Sequence, residues 1–112
     1  MQTKLQLNEI NKEMAKYYRQ IYGADVVGIF LYGSYARGDY DSESDIDFAA
    51  IVHGDRIGLQ QKLKGIWDMS AELGLENDVV ISPIVIPYDE FKQYQKVLPY
   101  YNNILTEGKR IG

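Results

Sequence analysis

From the start of the chain, apolar residues recur at steps of three and four. Leu7, Ile10, Met14, Tyr17 and Ile21 fall on one side of a helix over residues 4–22. Gly23 stands where such a helix ends, as its C′ residue. The pattern then changes. Residues 25–32, DVVGIFLY, are β-branched and aromatic, the make-up of a buried strand. Gly33-Ser34 interrupts the run, and a polar, glycine-containing segment with a short helix at Ser34 to Arg37 leads on to Ser44. Residues 45–52, DIDFAAIV, predict a second strand. After His53-Gly54 a helix is expected over about 56–73, with Ile57, Leu63, Ile66, Trp67 and Leu73 on its apolar side. Residues 78–86, DVVISPIVI, predict a third strand. Pro83 cannot donate a ladder hydrogen bond, so this strand belongs at an edge or carries a bulge. From Pro87 the pattern is helical again, as two short helices divided at Leu98-Pro99, because the residue before a proline leaves the α region. The order predicts an α/β (α+β) fold, a small mixed sheet of about three strands flanked by helices.

Composition narrows the class. With 112 residues, 46% hydrophobic and 25% charged, the chain is expected to form a single domain over 1–112 with one core. It has no cysteine, which excludes a disulfide framework and a thiolate zinc site. The opening MQTKLQLNEINKEMAKYY is polar and periodic, unlike a signal peptide, and no apolar run is long enough for a bilayer. A cytoplasmic location without a membrane partner is the expectation. The net charge of −4, with no basic stretch, argues against a sequence-specific nucleic-acid binder. It leaves ATP open, since metal ions can meet the phosphate charge.

One constellation carries chemistry. Gly33-Ser34 is followed, after ten residues, by Asp45-Ile46-Asp47. Period-two geometry puts Asp45 and Asp47 on one face of the strand and sends Ile46 to the other, into the core. Two such carboxylates repel each other unless a cation lies between them, and hard oxygen ligands suit Mg²⁺. Glycine lets the backbone approach a phosphate, and the amides opening the short helix and the Ser34 hydroxyl can bind it. If Gly33 and Asp45 touch one nucleotide, the first two strands must run antiparallel. A helical crossover then brings the start of strand three beside the start of strand two. Asp78 is thereby expected as a third carboxylate of a two-metal site. A match to G-S-x10-D-x-D arises by chance about once in a thousand chains of this length.

The stretch GSYARGDYDSESDIDFAAIV resembles the signature of the minimal nucleotidyltransferases, a branch of the DNA polymerase β-like superfamily. The resemblance extends to the N-terminal helix, the ISPIVI strand and, more loosely, the closing EGKRI segment. It implies a polymerase β palm-like fold and the use of ATP and Mg²⁺, with two ions. Gly33 and Ser34 would lie at the phosphates, and Asp45 and Asp47 would be metal ligands. Many members are antitoxins paired with a HEPN-domain ribonuclease toxin, and some silence it by adding AMP to a toxin tyrosine. The family's third acid sits within its strand, whereas Asp78 lies at the strand's edge.

Other residues have two readings. Arg37, one helical turn after Ser34, is either a clamp for the triphosphate or a solvated arginine. Ser44 is expected to orient the DxD strand by a local hydrogen bond. Asp39, Asp41 and Glu43 make the loop acidic, His53 reads as structural or solvated, and Trp67 as core. Tyr94, Tyr100 and Tyr101 would either anchor a partner or pack on the sheet. Three functions follow: AMP transfer to a partner's hydroxyl, masking of a toxin without chemistry, and, lower in order, transfer to a small molecule. Intact Asp45 and Asp47 favour transfer. A chain this short has no second domain to enclose a small substrate.

Overall fold

The computed structural model describes residues 4–112; residues 1–3, the opening of the polar N-terminal segment, lie outside the described residues. Helix α1 (Lys4–Tyr22) ends, as expected, at Gly23, whose φ is 61°, and a 3-10 turn leads into β1 (Val26–Tyr32). The short helix α2 (Ser34–Arg37) and a polar loop connect to β2 (Ile46–Val52). Helix α3 (Arg56–Asn77) then crosses to β3 (Ile81–Pro87). Helices α4 (Tyr88–Tyr94) and α5 (Pro99–Glu107) follow, and β4 (Lys109–Arg110) closes the chain's path. The result is a mixed sheet of four strands in the order β3-β2-β1-β4, with helices on both faces.

The two expected pairings are present. Strands β1 and β2 are antiparallel, and β2 and β3 are parallel, joined by the α3 crossover. The Ile46 amide donates to the Val80 carbonyl at 2.9 Å. Backbone groups alternate along a strand, so residues 80, 82 and 84 of this segment address β2 and residues 81, 83 and 85 point outward. Pro83 therefore falls where no ladder bond is lost, on the free edge of β3.

Periodicity sorted the faces with two exceptions on each long helix. On α1 the fully buried residues are Ile10, Met14, Tyr18 and Tyr22, a strict i, i+4 stripe, while Tyr17 and Ile21 are only partly buried. Tyr18 replaces Tyr17 in the core because its hydroxyl reaches the Ile84 carbonyl (2.9 Å), just as Tyr22 reaches that of Leu59 (2.7 Å). On α3 the inward stripe is Leu59, Leu63, Ile66, Ser70 and Leu73, leaving Ile57 (71% exposed) and Trp67 (45%) outside. The expectation that Trp67 is core is thus corrected. The stripe continues through Ser70, whose buried hydroxyl donates to the Trp67 carbonyl at 3.0 Å and so behaves as a small core residue.

The third strand also begins later than expected. Helix α3 runs four residues past the predicted end, and Asp78 is its C-terminal cap in the left-handed conformation (φ 53°, ψ 49°). The amides of Asp78 and Val79 both fold back onto the Gly74 carbonyl. A Cβ at Gly74 would run into the Val79 carbonyl, so glycine is what lets the chain reverse so tightly. Ending the helix consumes residues 78–80.

Candidate active site

Three strand ends meet at one end of the sheet. Register sets Tyr32, the last residue of β1, opposite Asp47, and sets Ser82 of β3 beside Asp47 on the other side. Asp45 lies two residues before Asp47 and shares its face, away from Ile46, which is fully buried. This face also carries Ala49 and Ile51, against which Phe91, Tyr101 and Ile104 of α4 and α5 pack. The acid pair thus stands where that packing ends and the sheet opens to solvent.

Gly33 joins the two halves of the site. Its φ of 74° and ψ of −156° lie in a region that is essentially confined to glycine. A Cβ there would collide with the Asp47 carboxylate. The turn and the acid are therefore in direct contact. Gly33 also accepts, through its carbonyl, the amides of Ala36 and Arg37, both at 3.1 Å. Those two amides are used within α2, which leaves Ser34 as the group at the turn best able to meet an anion.

The polar loop is internally built. The Ser44 hydroxyl accepts from the Asp41 amide (3.0 Å), and the Asp41 carboxylate accepts from the Glu43 amide (2.9 Å) and the Ser44 hydroxyl (3.2 Å). Ser44 thus makes local hydrogen bonds, all of them to Asp41 of the loop. Arg37 is paired with Asp39 (3.2 Å) and Glu107 of α5 (3.4 Å), so it is neither free nor buried. His53 is exposed and lies beside the Tyr88 ring, 4.6 Å between centroids.

Burial, and after it the neighbouring Asp45 carboxylate, pushes Asp47 up from 3.8 to about 6; the Arg37 guanidinium pulls partly in the other direction. Tyr32 is raised further, chiefly by burial and then by its hydrogen bond with Tyr100, whose hydroxyl lies 2.7 Å away. A carboxylate that is costly to ionise beside a second carboxylate is what a divalent cation relieves. Asp45 and Asp47 are hard oxygen donors, and the Ser82 hydroxyl lies 3.5 Å from the Asp45 carboxylate. Such a set suits Mg²⁺, which takes one or two carboxylates and completes its shell with waters and phosphate oxygens.

The sequence placed Gly33, Ser34, Arg37, Asp45 and Asp47 around this site, and the structure brings them to one end of the sheet. Asp78 is different. It caps α3 and borders a cleft of about 310 Å³ whose lining also includes Glu43, Asp45, Leu75 and Val80. Among the described residues, no three Asp, Glu, His or Cys side chains come together as a metal-binding group. The expected triad of Asp45, Asp47 and Asp78 is therefore not assembled. The reason is the late start of β3: the residue that pairs with Asp47 is four positions further on, Ser82. Sequence reasoning missed Ser82, Tyr32 and Glu107. Only Tyr32 left a signal, as the residue immediately before the turn.

Three comparisons bear on this geometry. A family model described as "Nucleotidyltransferase domain" matches residues 7–111. The protein named "Putative protein adenylyltransferase MJ0141" of Methanocaldococcus jannaschii is 38% identical over 81 residues, covering 72% of this chain and 80% of that one. Among solved structures, a chain of a toxin–antitoxin crystallised with AMP-PNP superposes with a TM-score of 0.58 at 21% identity, covering 91% of this chain and 72% of that one. A chain of the tri-AMPylated Shewanella oneidensis HEPN toxin in complex with MNT antitoxin gives 0.52 at 21% identity, covering 96% and 71%. At these identities the two structures speak for the fold alone.

Proposed function

The chain belongs to the nucleotidyltransferase domain family, and from that premise we propose that it transfers AMP from ATP to a hydroxyl of a partner protein, a tyrosine of a HEPN-type ribonuclease toxin. The observation that carries this reading is the contact between Gly33 and Asp47, which makes the turn and the acid pair one site. Ser34 would hold the phosphates, and Asp45 and Asp47 would hold Mg²⁺. The metal, when bound, supplies charge neutralisation at the transferring phosphorus and the leaving pyrophosphate. In the transfer the acceptor oxygen bonds to the α-phosphorus and the bond to the bridging α–β oxygen breaks. Pyrophosphate leaves and the hydroxyl proton passes to solvent. Arg37, held by Asp39 and Glu107 beside the turn, would exchange those partners for triphosphate oxygens.

Two features support a protein as acceptor. The acid pair stands at the ends of three strands, where Asp45 is exposed and the face opens to solvent, so a protein segment can reach it. The solved structures that share this fold include MNT antitoxins bound to HEPN toxins, one of them AMPylated. Mass spectrometry of a HEPN partner incubated with the protein, ATP and Mg²⁺ tests the reading. A gain of one or more AMP units is expected, lost with Asp45→Asn or Asp47→Asn. A toxin neutralised without any mass change, equally well by those variants, would establish masking instead.

A further inference from the structure

We propose that position 82 is the third place of the metal cradle, and that its being serine makes cation binding depend on the nucleotide. This rests on the transferase reading above. Register sets Ser82 directly beside Asp47 in the parallel pair, and its hydroxyl lies 3.5 Å from the Asp45 carboxylate. Period-two geometry puts Ser82 on the face of Asp47, since residues paired across a sheet point the same way. Position 82 thus faces both acids at once. Asp78, by contrast, sits on the turn that ends α3, ahead of the first residue of β3 that pairs with β2.

The consequence is one of charge. Two carboxylates give the cradle a formal charge of about −2, and a neutral hydroxyl in the third place adds nothing to it. Affinity for hard divalent cations rises with the number of charged ligands. The bare protein therefore holds such an ion weakly, and the nucleotide's phosphates supply the missing charge. Metal and ATP bind together, each raising the affinity for the other by the same factor.

The probe is Mn²⁺, followed by electron paramagnetic resonance and calorimetry, with and without a non-hydrolysable ATP analogue. For the wild type, Mn²⁺ affinity should rise by about tenfold or more when the analogue is present. Ser82→Asp should bind Mn²⁺ without nucleotide at least about tenfold more tightly than the wild type, and the nucleotide's effect on it should shrink. Asp78→Asn should leave Mn²⁺ binding unchanged. Unaltered Mn²⁺ affinity in a folded Ser82→Asp, or a loss in Asp78→Asn as large as in Asp45→Asn, would overturn the proposal. Should Ser82→Asp fail to fold, Ser82→Cys serves instead, because the chain has no other thiol. Cd²⁺ should then give a thiolate charge-transfer band that Asp45→Asn abolishes; no band would place position 82 out of reach. A wild type that binds no Mn²⁺ even with the analogue would count against the transferase reading itself, separately from the role of Ser82.

Discussion

The raised carboxyl of Asp47 has a measurable consequence in the metal-free protein. Its folded value, about 6, exceeds the ordinary 3.8, so the folded state holds this proton more tightly than the unfolded chain does. The unfolded state therefore binds fewer protons between those values, and stability falls as pH rises from about 3.8 to about 6. Above that window the full penalty of ionisation remains until a cation meets it. Asp47→Asn removes the charge and keeps the shape. In EDTA it should raise the Tm at pH 7.5, with the advantage fading towards pH 4. Added Mg²⁺ with nucleotide should stabilise the wild type and not the variant. A variant melting no higher than the wild type at pH 7.5 would contradict the burial and repulsion invoked. Gly33 makes the companion case. The sequence assigns it only the approach to phosphate, yet its backbone region and the seat of Asp47 both exclude a side chain. Gly33→Ala should thus lower stability by about 1–3 kcal/mol as well as abolish nucleotide binding. Loss of nucleotide binding at an unchanged Tm would show that Asp47 is not packed against the turn.

At the scale of elements, the sequence was informative wherever a period ran for several turns or a proline or glycine punctuated it. Helix α1, the two-part break at Leu98-Pro99 and the short helix after Gly33 lie where the pattern put them. The site was legible for the same reason, because Gly33, Asp45 and Asp47 sit on the ends of well-marked strands. The third strand was not. Val79-Val80 has strand composition, but the chain there is turning, and that turn is fixed by backbone bonds to Gly74 inside the preceding helix, where a lone glycine does not by itself mark an end. The misplacement moved the third site position from Ser82 to Asp78. It also yields a test. A left-handed C′ position favours glycine over any side chain. Asp78→Gly should therefore raise the Tm by a few degrees and keep nucleotide transfer within about twofold, the range expected of a substitution outside the chemistry. A tenfold loss of transfer in a protein of unimpaired stability would return Asp78 to the site.

The molecule as a whole is closed by a strand that the sequence did not announce. Two residues, Lys109 and Arg110, pair with Leu31 and Phe30 at the edge of β1, too few to show any alternation. Their neighbours extend the seam: the Ile111 amide donates to the Ile29 carbonyl (2.8 Å), and the Ile29 amide to the Gly112 carbonyl (3.1 Å). Ile111 packs against the core beneath the sheet, and Arg110 reaches the Val27 carbonyl at 3.0 Å. This seam covers an edge that would otherwise offer β1 to other chains. It also anchors α5 from below, and α5 brings Tyr100 to Tyr32 and Glu107 to Arg37. Deleting residues 109–112 removes several backbone hydrogen bonds, each contributing about 0.5–1.5 kcal/mol, together with the burial of Ile111. The shortened chain should melt several degrees lower and associate with itself as protein concentration rises. Its acid pair is untouched, because Asp45 and Asp47 lie two strands from β4. Mn²⁺ affinity in the presence of nucleotide should therefore survive at temperatures where the chain remains folded. Calorimetry and sedimentation read the first two outcomes, and Mn²⁺ titration the third. A monomeric truncation with an unchanged Tm would mean that β4 merely decorates the sheet. One that folds yet loses metal would show that α5, through Arg37, is part of what shapes the site.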